Sequence, residues 1–218
     1  MTRTTTNPMT RTTTTEPRIA PLQPPYDRDT EAMLSKWMPP GSPLEPLALF
    51  RTLAVHDELS SRMRPLGGGI LGHGRVDPRD REIIIHRTCA LTGAEYEWGV
   101  HAVAFGKPLG LTDGQLAATI RGTADDPVWS ERDALLIGLA DELNDTCDVS
   151  DELWARLAQH FADDQLLELV ITAGWYRLLS GVINAARVQP EPWAARFSRE
   201  PEREPGRSSS QSDEDRAQ

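Results

Sequence analysis

Residues 77–109 read DPRDREIIIHRTCALTGAEYEWGVHAVAFGKPL, and this stretch decides the fold. Pro78 is typical of the first turn of a helix, with Asp77 as its N-cap, and Thr92-Gly93 predicts where that helix ends. A second helix is predicted over about 94–106. Because the connecting turn is so short, the two helices should fold back on each other as an antiparallel hairpin.

The predicted hairpin carries ionisable side chains at helical spacing. Glu82, His86 and Cys89 are spaced i, i+4, i+7 on the first helix, and Glu97 and His101 are spaced i, i+4 on the second. A carboxylate beside an imidazole makes a general acid/base pair, because the carboxylate fixes the tautomer and raises the imidazole pKa while burial shifts both groups. The alternative interpretation is a set of partly exposed charges on a helix surface.

The segment from Arg81 to His101 has the pattern R-E-I-I-I-x-R-x-x-x-x-x-G-A-E-Y-E-W-x-x-H. It resembles the core motif of the carboxymuconolactone decarboxylase family, which includes the alkylhydroperoxidase AhpD-like proteins. The similarity spans residues 46 to about 190. In the peroxidase branch the motif is Glu, then Cys-x-x-Cys-x-x-x-His. Aligned on His101, the glutamate position is Glu82, and the two cysteine positions are Ala94 and Glu97.

Both redox cysteines of the peroxidase motif are therefore missing. Peroxide reduction through a disulfide needs a thiolate of low pKa and a resolving thiol close by. Cys89 and Cys147 are the two cysteines of the chain, and neither occupies a motif position. Cys89 shares a predicted helix face with Glu82, so it either approaches the site or serves as a small buried hydrophobic residue.

The length of 218 residues fits one domain with tails. Residues 1–45 are rich in Thr and Pro and are predicted to be largely disordered, although residues 18–22 should dock onto the domain. Residues 46–190 form the predicted domain. Residues 191–218 are predicted to be mostly disordered beyond about Phe197, while Trp193 and Phe197 either fold back or cover a neighbouring subunit. A direct repeat makes Met9 an alternative start.

Helical spacing throughout the domain predicts an all-α bundle of six to seven helices, and the family resemblance implies the same AhpD-like fold. One helix is predicted over 45–63, followed by Gly67-Gly68-Gly69. We interpret the glycines as a loop or helix stop and not as a phosphate loop, because the Gly-Lys-Ser/Thr ending is absent. Capping residues Thr112, Ser130 and Ser150 predict three later helices, and Asp163-Asp164 begins a fourth.

Composition argues against several classes of function. A net charge of −10 disfavours nucleic-acid binding, which needs a clustered cationic surface. The two Glu-x-x-x-His pairs do not reproduce the Glu-x-x-His spacing of di-iron bundles, so no metal is expected. The N-terminus lacks the apolar region of a secretory signal, and the chain lacks an uninterrupted run of about 18 apolar residues. These features predict a soluble cytoplasmic protein without a membrane partner.

The resemblance implies an enzyme without a cofactor that uses acid/base chemistry on a small organic acid, lactone or carbonyl compound, as a decarboxylase or other lyase. His101 would be the acid/base and Glu82 its orienting partner. Glu97 would be a second proton carrier or a substrate-binding group. Further candidates for substrate binding are His86, Arg177 and Asn184. The guanidinium of Arg177 could hold a carboxylate through two hydrogen bonds.

Charge in the motif favours a neutral or monoanionic substrate, since only Arg81, Arg87 and Arg177 are available to compensate Glu82 and Glu97. With Glu82 beside it and burial opposing, His101 is expected to have a pKa near neutrality. Two other classes remain open, namely an AhpD-like peroxidase and a non-catalytic small-molecule-binding oligomer. The resemblance also implies a homo-oligomer, commonly a trimer or hexamer.

Overall fold

The computed structural model describes residues 16–39 and 41–197. Within these ranges the fold is all-α, as predicted, with no strand. A 3₁₀ turn over Ala54–His56 joins the second and third helices, and a π-helical turn over Ala102–Gly106 continues the fifth. The α-helices are α1 (Arg28–Ser35), α2 (Ala48–Leu53), α3 (Asp57–Gly72), α4 (Pro78–Leu91), α5 (Glu95–His101), α6 (Asp113–Arg121), α7 (Glu131–Thr146), α8 (Asp151–Leu157) and α9 (Asp163–Ala186).

Helix α4 is the centre of the domain. It begins at Pro78 with Asp77 as N-cap and ends at Thr92, as the sequence predicts. Every residue from 80 to 89 is buried, and α4 contacts α5, α6, α7 and α9. A helix that is enclosed on all sides needs apolar residues around its whole circumference, which explains the consecutive Ile83, Ile84 and Ile85.

Three ion pairs connect α4 to α7. Arg79 donates two hydrogen bonds to Asp133, at 2.7 and 3.0 Å. Arg87 pairs in the same two-point manner with Asp141, at 2.5 and 3.1 Å. The third pair joins Asp80 to Arg132. Two-point arginine–carboxylate contacts fix orientation as well as distance, so these pairs set the register between the two helices.

The predicted hairpin is confirmed, and so are the four helices that follow it. The helix count differs from the prediction in two places. The segment predicted as one helix over 45–63 is divided into α2 and α3 by the 3₁₀ turn. Helix α1 is additional, and it lies in the segment that was predicted to be disordered.

Residues 16–45 differ from the prediction because they contact the domain. In α1 and the turn after it, Leu34 is buried, the Trp37 ring stacks on Phe50 with centroids 4.8 Å apart, and Trp37 Nε1 donates to Ser60 Oγ. The predicted docking of residues 18–22 is confirmed by a 2.8 Å hydrogen bond from Arg18 N to Ala186 O. A few apolar side chains are thus enough to hold this proline-rich segment on the surface. Residues 1–15 lie outside the described residues.

The C-terminal segment folds back onto its own chain, which selects one of the two predicted alternatives for Phe197. Its ring packs against Trp98 with centroids 5.4 Å apart, and its backbone N–H donates to Glu95. Ala195 N donates to Gly99 O at 3.2 Å, and a Cβ on Gly99 would lie 2.0 Å from Ala195 O. Glycine is therefore required where the segment crosses α5. The predicted disorder of residues 198–218 lies outside the described residues.

The interpretation of Gly67-Gly68-Gly69 as a loop or helix stop is wrong. All three glycines lie inside α3, which continues to Gly72. The reason is tertiary packing, because a Cβ on Gly67 would lie 3.0 Å from Cζ2 of Trp175 on α9. Close contact between two helices needs a small residue at the crossing point, and this contact outweighs the low helix propensity of glycine.

The three glycines provide a matched stability test. Gly68→Ala and Gly69→Ala should each raise the free energy of unfolding by about 0.5–1 kcal/mol, because alanine favours the helix and both positions face open space. Gly67→Ala should give no gain or a net loss, because Trp175 is buried and cannot easily move. Urea unfolding followed by tryptophan fluorescence measures the differences. Equal gains at all three positions would contradict the close α3–α9 contact.

Within the described ranges, α9 is the one helix with the length and mean hydropathy that a membrane span requires. Half of its apolar window is buried inside the fold, and the helix contacts α3, α4, α5 and α7. Such contacts are those of a core helix in a helical domain.

Candidate active site

The hairpin places the second turn of α4 opposite the end of α5. Glu82 Oε2 lies 2.9 Å from His101 Nδ1, which is a hydrogen bond between two side chains that are 19 residues apart in sequence. Glu82 is fully buried and His101 is only 4% exposed. The predicted pairing of these two residues is therefore present in the structure, and the interpretation as exposed surface charges does not hold.

Glu97 lies on the other side of the same imidazole. Its Oε1 is 3.6 Å from His101 Nε2, which is a contact between charges and is too long for a good hydrogen bond. Since Glu97 is also buried, both ring nitrogens of His101 face carboxylates. We call Glu82, Glu97 and His101 the Glu–His–Glu cluster.

The Glu–His–Glu cluster changes the expected protonation of His101. Burial lowers the pKa of His101, but the charge of Glu82, its hydrogen bond and the nearby Glu97 outweigh that effect and raise the pKa to about 10. The expectation of a pKa near neutrality is wrong because it considered one carboxylate where the structure places two. A pKa raised in this way favours the imidazolium form of His101 at neutral pH, and this form has a proton to donate.

His86 lies beside the cluster and behaves in the opposite way. Its Nδ1 donates to the backbone carbonyl oxygen of Glu82 at 2.6 Å, and burial lowers its pKa to about 4 despite the charge of Glu82. It is therefore neutral, and its buried Nε2 lone pair has no partner among the described residues. A Cβ on Gly106 would lie 3.0 Å from His86 Cε1, so glycine lets the π-helical turn close over this ring.

Two aromatic rings enclose His101. Phe105 on the π-helical turn has its centroid 4.9 Å from the imidazole, and Tyr176 on α9 meets it edge-on at 5.0 Å. Burial, together with Glu97 and Glu82, raises the pKa of the Tyr176 hydroxyl well above its usual value. Sequence reasoning did not identify Tyr176, because it lies in the apolar run of α9 and matches no chemical motif.

The structure does not bring Arg177 and Asn184 to the cluster. Arg177 is exposed, and its Nη1 donates to Asn144 O at 2.6 Å. Asn184 Nδ2 donates to Thr92 O at 2.8 Å, at the C-terminal end of α4 and about 15 Å along that helix from Glu82. Neighbouring helical positions differ by about 100° in direction, so Tyr176 faces inward where Arg177 cannot.

Arg81 and Arg87, the two arginines within the motif, have different surroundings. Arg87 is engaged by Asp141 and therefore has a structural partner. Arg81 is 6% exposed, donates to Ile70 O at 3.3 Å, and has no carboxylate within ion-pair distance in the part of the chain that the structure describes. Its charge acts on the Tyr176 hydroxyl in opposition to the charges of Glu82 and Glu97. Arg81 thus supplies buried positive charge near the cluster.

The two cysteines are not placed as a redox pair. Cys89 is fully buried, and burial together with Glu97 raises the pKa of its thiol well above the usual value. Cys147 is exposed at the C-terminal end of α7. Across residues 16–39 and 41–197, no three His, Cys, Asp or Glu side chains are grouped as ligands for a metal ion.

The all-helical domain has the AhpD-like helical fold. Residues 57–138 match the model of the carboxymuconolactone decarboxylase family, so the family predicted from the motif is confirmed over this region. No curated protein matches the chain.

Three solved structures share the fold. A protein of unknown function from Agrobacterium tumefaciens, described as a candidate antioxidant defence protein AhpD, has a TM-score of 0.58 at 18% identity, over 63% of this chain and 93% of its own. An uncharacterized peroxidase-related protein from Silicibacter sp. TM1040 has a TM-score of 0.58 at 14% identity, over 69% of this chain and 80% of its own. A cysteine-to-alanine variant of the debrominase Bmp8, in complex with 2,3,4-tribromopyrrole, has a TM-score of 0.66 at 14% identity, over 80% of this chain and 92% of its own. At such identities the likeness establishes the fold alone.

Proposed function

We propose that this protein is a cofactor-independent acid/base enzyme that acts on a small organic acid, lactone or carbonyl compound, with His101 as the general acid. The observation that carries the proposal is the buried 2.9 Å contact between Glu82 and His101. A carboxylate–imidazole pair that is removed from solvent is costly to bury, so its presence in the core of the hairpin favours a catalytic role over a structural one.

The proposed reaction is a decarboxylation or related lyase step that ends with protonation of carbon. The bond to the leaving carboxylate breaks, CO₂ departs, and the electron pair passes into a conjugated carbonyl group to form an enolate. His101 then transfers the Nε2 proton to carbon, while Glu82 holds the charged ring through Nδ1. The neutral imidazole then regains a proton from solvent, with Glu97, 3.6 Å from Nε2, as the proposed relay.

Charge balance supports a neutral or monoanionic substrate. The formal charges of Glu82 and Glu97 offset those of His101 and Arg81, so these four buried side chains sum to zero. A dianion would bring two further negative charges to a cluster near which Arg81 alone of Arg81, Arg87 and Arg177 offers positive charge, because Arg87 pairs with Asp141 and Arg177 donates to Asn144 away from the cluster. The debrominase structure, with a bound tribromopyrrole, shows that this fold can hold a small planar molecule in that protein.

The proposal can be tested once the substrate is known. Native mass spectrometry of protein purified from its own host should reveal a bound small molecule and thereby its chemical class. Turnover of that compound in D₂O should place one deuterium on the carbon that receives the proton, and His101→Ala should abolish this incorporation. A bound ligand without any turnover, in both the natural protein and the variant, would favour the non-catalytic binding alternative.

The AhpD-like peroxidase alternative makes a different prediction about the cysteines. The double variant Cys89→Ser/Cys147→Ser should retain turnover within about twofold, because neither thiol contacts the Glu–His–Glu cluster as a redox pair. Peroxide consumption by the two proteins should likewise be equal. A large loss of peroxide consumption in the double variant would support a thiol mechanism and contradict the acid/base proposal.

We further propose a homo-oligomer, a trimer or hexamer as the family resemblance implies, in the cytoplasm. The large aromatic residues of the helices give this assembly little support, since Trp98 and Trp175 are buried within the chain and Trp154 is 41% exposed. The better support is an exposed apolar face along α3 and the turn before it, at helical spacing i, i+4, i+11. Its members are Val55, Leu59 and Leu66.

A second copy of the chain is the proposed partner of this face. Sedimentation at micromolar concentration should give a mass well above 24 kDa, and Leu59→Glu/Leu66→Glu should reduce it to that of the single chain. Leu167→Glu alters a second exposed apolar row, formed on α9 by Leu167, Ile171 and Leu178, and as the comparison it should leave the mass unchanged. A natural protein that sediments as a single chain would refute the assembly, and sensitivity only at Leu167 would refute the choice of face.

A further inference from the structure

A cavity of about 160 Å³ lies between α4, α7 and α9, away from the Glu–His–Glu cluster. Thr88 forms part of its lining on α4, six residues beyond Glu82, while Arg177 lines it from α9. Small apolar residues supply much of the remaining wall, among them Ala140, Val170 and Ala173. The cavity is thus separate from the proposed catalytic residues.

Thr88 carries an unmet hydrogen bond at this cavity. Its side chain is 4% exposed, and the hydroxyl has no partner among the described residues. A helical threonine usually bonds to the carbonyl four residues earlier, as Thr92 does with Thr88 O at 2.8 Å and Thr172 does with Glu168 O at 2.8 Å. A buried polar group without a hydrogen-bond partner is unfavourable, so the Thr88 hydroxyl indicates that a ligand supplies the missing hydrogen bond.

Arg177 supplies a fixed positive charge on the same cavity. Its Nη1 donates to the backbone oxygen of Asn144 at 2.6 Å and to the side-chain oxygen of that residue at 3.2 Å, which anchors the guanidinium at the C-terminal end of α7. Its other N–H groups make no hydrogen bond within the described part of the chain. A guanidinium held in this way presents a planar pair of donors that suits a carboxylate.

The volume limits the size of the ligand. Drug-sized ligands occupy pockets of roughly 300 Å³ or more, whereas an apolar cavity of about 150 Å³ holds benzene. We propose that this cavity binds a ring-sized monocarboxylate, with its apolar ring between α7 and α9, its carboxylate on Arg177 and a hydroxyl group on Thr88. This ligand class follows from the cavity itself and does not depend on the proposed catalytic reaction.

Three probe ligands separate the two polar contacts. 4-Hydroxybenzoate has both groups, benzoate lacks the hydroxyl, and phenol lacks the carboxylate. By calorimetry the natural protein should bind 4-hydroxybenzoate about five- to tenfold more tightly than either of the other two, since each hydrogen bond or ion contact contributes about that factor. Equal binding of all three, or no saturable binding at millimolar concentration, would overturn the proposal.

Matched variants assign each contact to its residue. Thr88→Val keeps the shape and should remove the preference for 4-hydroxybenzoate over benzoate, while the unliganded variant should be at least as stable as the natural protein because an unpaired buried hydroxyl is lost. Arg177→Gln should weaken the binding of 4-hydroxybenzoate and of benzoate about tenfold and leave the binding of phenol unchanged. Arg156→Gln removes an exposed arginine of α8 and should change nothing. Preferences that persist in Thr88→Val would refute the role of that residue.

Cys147 reports where the probes bind. It lines the cavity and is exposed, whereas Cys89 is fully buried, so iodoacetamide should modify Cys147 selectively. Saturating 4-hydroxybenzoate should slow this alkylation at least severalfold in the natural protein, and Thr88→Val should need about five- to tenfold more ligand for the same protection. Binding without protection of Cys147 would place the probe elsewhere, for example at the Glu–His–Glu cluster, and would overturn the proposed site.

Discussion

Replacing Glu82 with glutamine should lower turnover by about 10- to 1000-fold, and replacing His101 with alanine should lower it at least as much. Glutamine keeps the size of the side chain and one hydrogen bond to His101 Nδ1, but it removes the charge that sustains the imidazolium. The His101 pKa should therefore fall well below its value of about 10. NMR titration of labelled histidine measures that shift independently of turnover.

The double variant tests whether the two residues act as a unit. Glu82→Gln/His101→Ala should be scarcely less active than the more damaging single variant, because Glu82 acts through the imidazole. Glu97→Gln is the matched control, since its 3.6 Å contact is weaker and should shift the His101 pKa less. Losses that multiply in the double variant would mean that Glu82 and His101 contribute separately, and that the pair does not carry the chemistry.

Raising the pH from 7 to about 8.5 should lower the free energy of unfolding by roughly 1.4 kcal/mol per pH unit. His101 has a pKa of about 10 in the fold and about 6.5 when unfolded, so the folded chain alone holds this proton across the interval. Its stabilising contribution is complete below pH 6.5 and is lost as the pH rises toward 10. Urea unfolding at several pH values measures the slope.

His101→Gln is the control for this pH dependence, and the slope between pH 7 and 8.5 should be much smaller in the variant. The interval ends at pH 8.5 because the pKa values of the buried Cys89 and Tyr176 are also raised in the fold. At higher pH these two groups would ionise more readily in the unfolded chain and lower the free energy of unfolding further. On the acid side, His86 has a lowered pKa of about 4, so its contribution is lost as the pH falls from 6.5 toward 4. An unchanged slope in the variant would contradict the raised His101 pKa.

The amino-acid sequence by itself determined the helical hairpin and the spacing of its ionisable residues. Asp77 and Pro78 fix the start of α4, because capping and proline geometry act within one turn. Helical periodicity places Glu97 and His101 on one face, and a short connection obliges the two helices to be antiparallel. The Glu82–His101 pair was predictable because these local rules bring the two helices together and the family resemblance singles out these two residues on them.

Only the tertiary structure decided what surrounds that pair. The charge and hydrogen bond of Glu82, with Glu97 on the other side of the ring, raise the His101 pKa to about 10, and this depends on side-chain distances of a few ångströms that spacing does not give. Tyr176 faces the cluster and Arg177 faces solvent because packing sets the rotation of α9, and one residue changes direction by about 100°. Gly67 remains helical because Trp175 packs against it, a contact between helices far apart in sequence that outweighs local propensity.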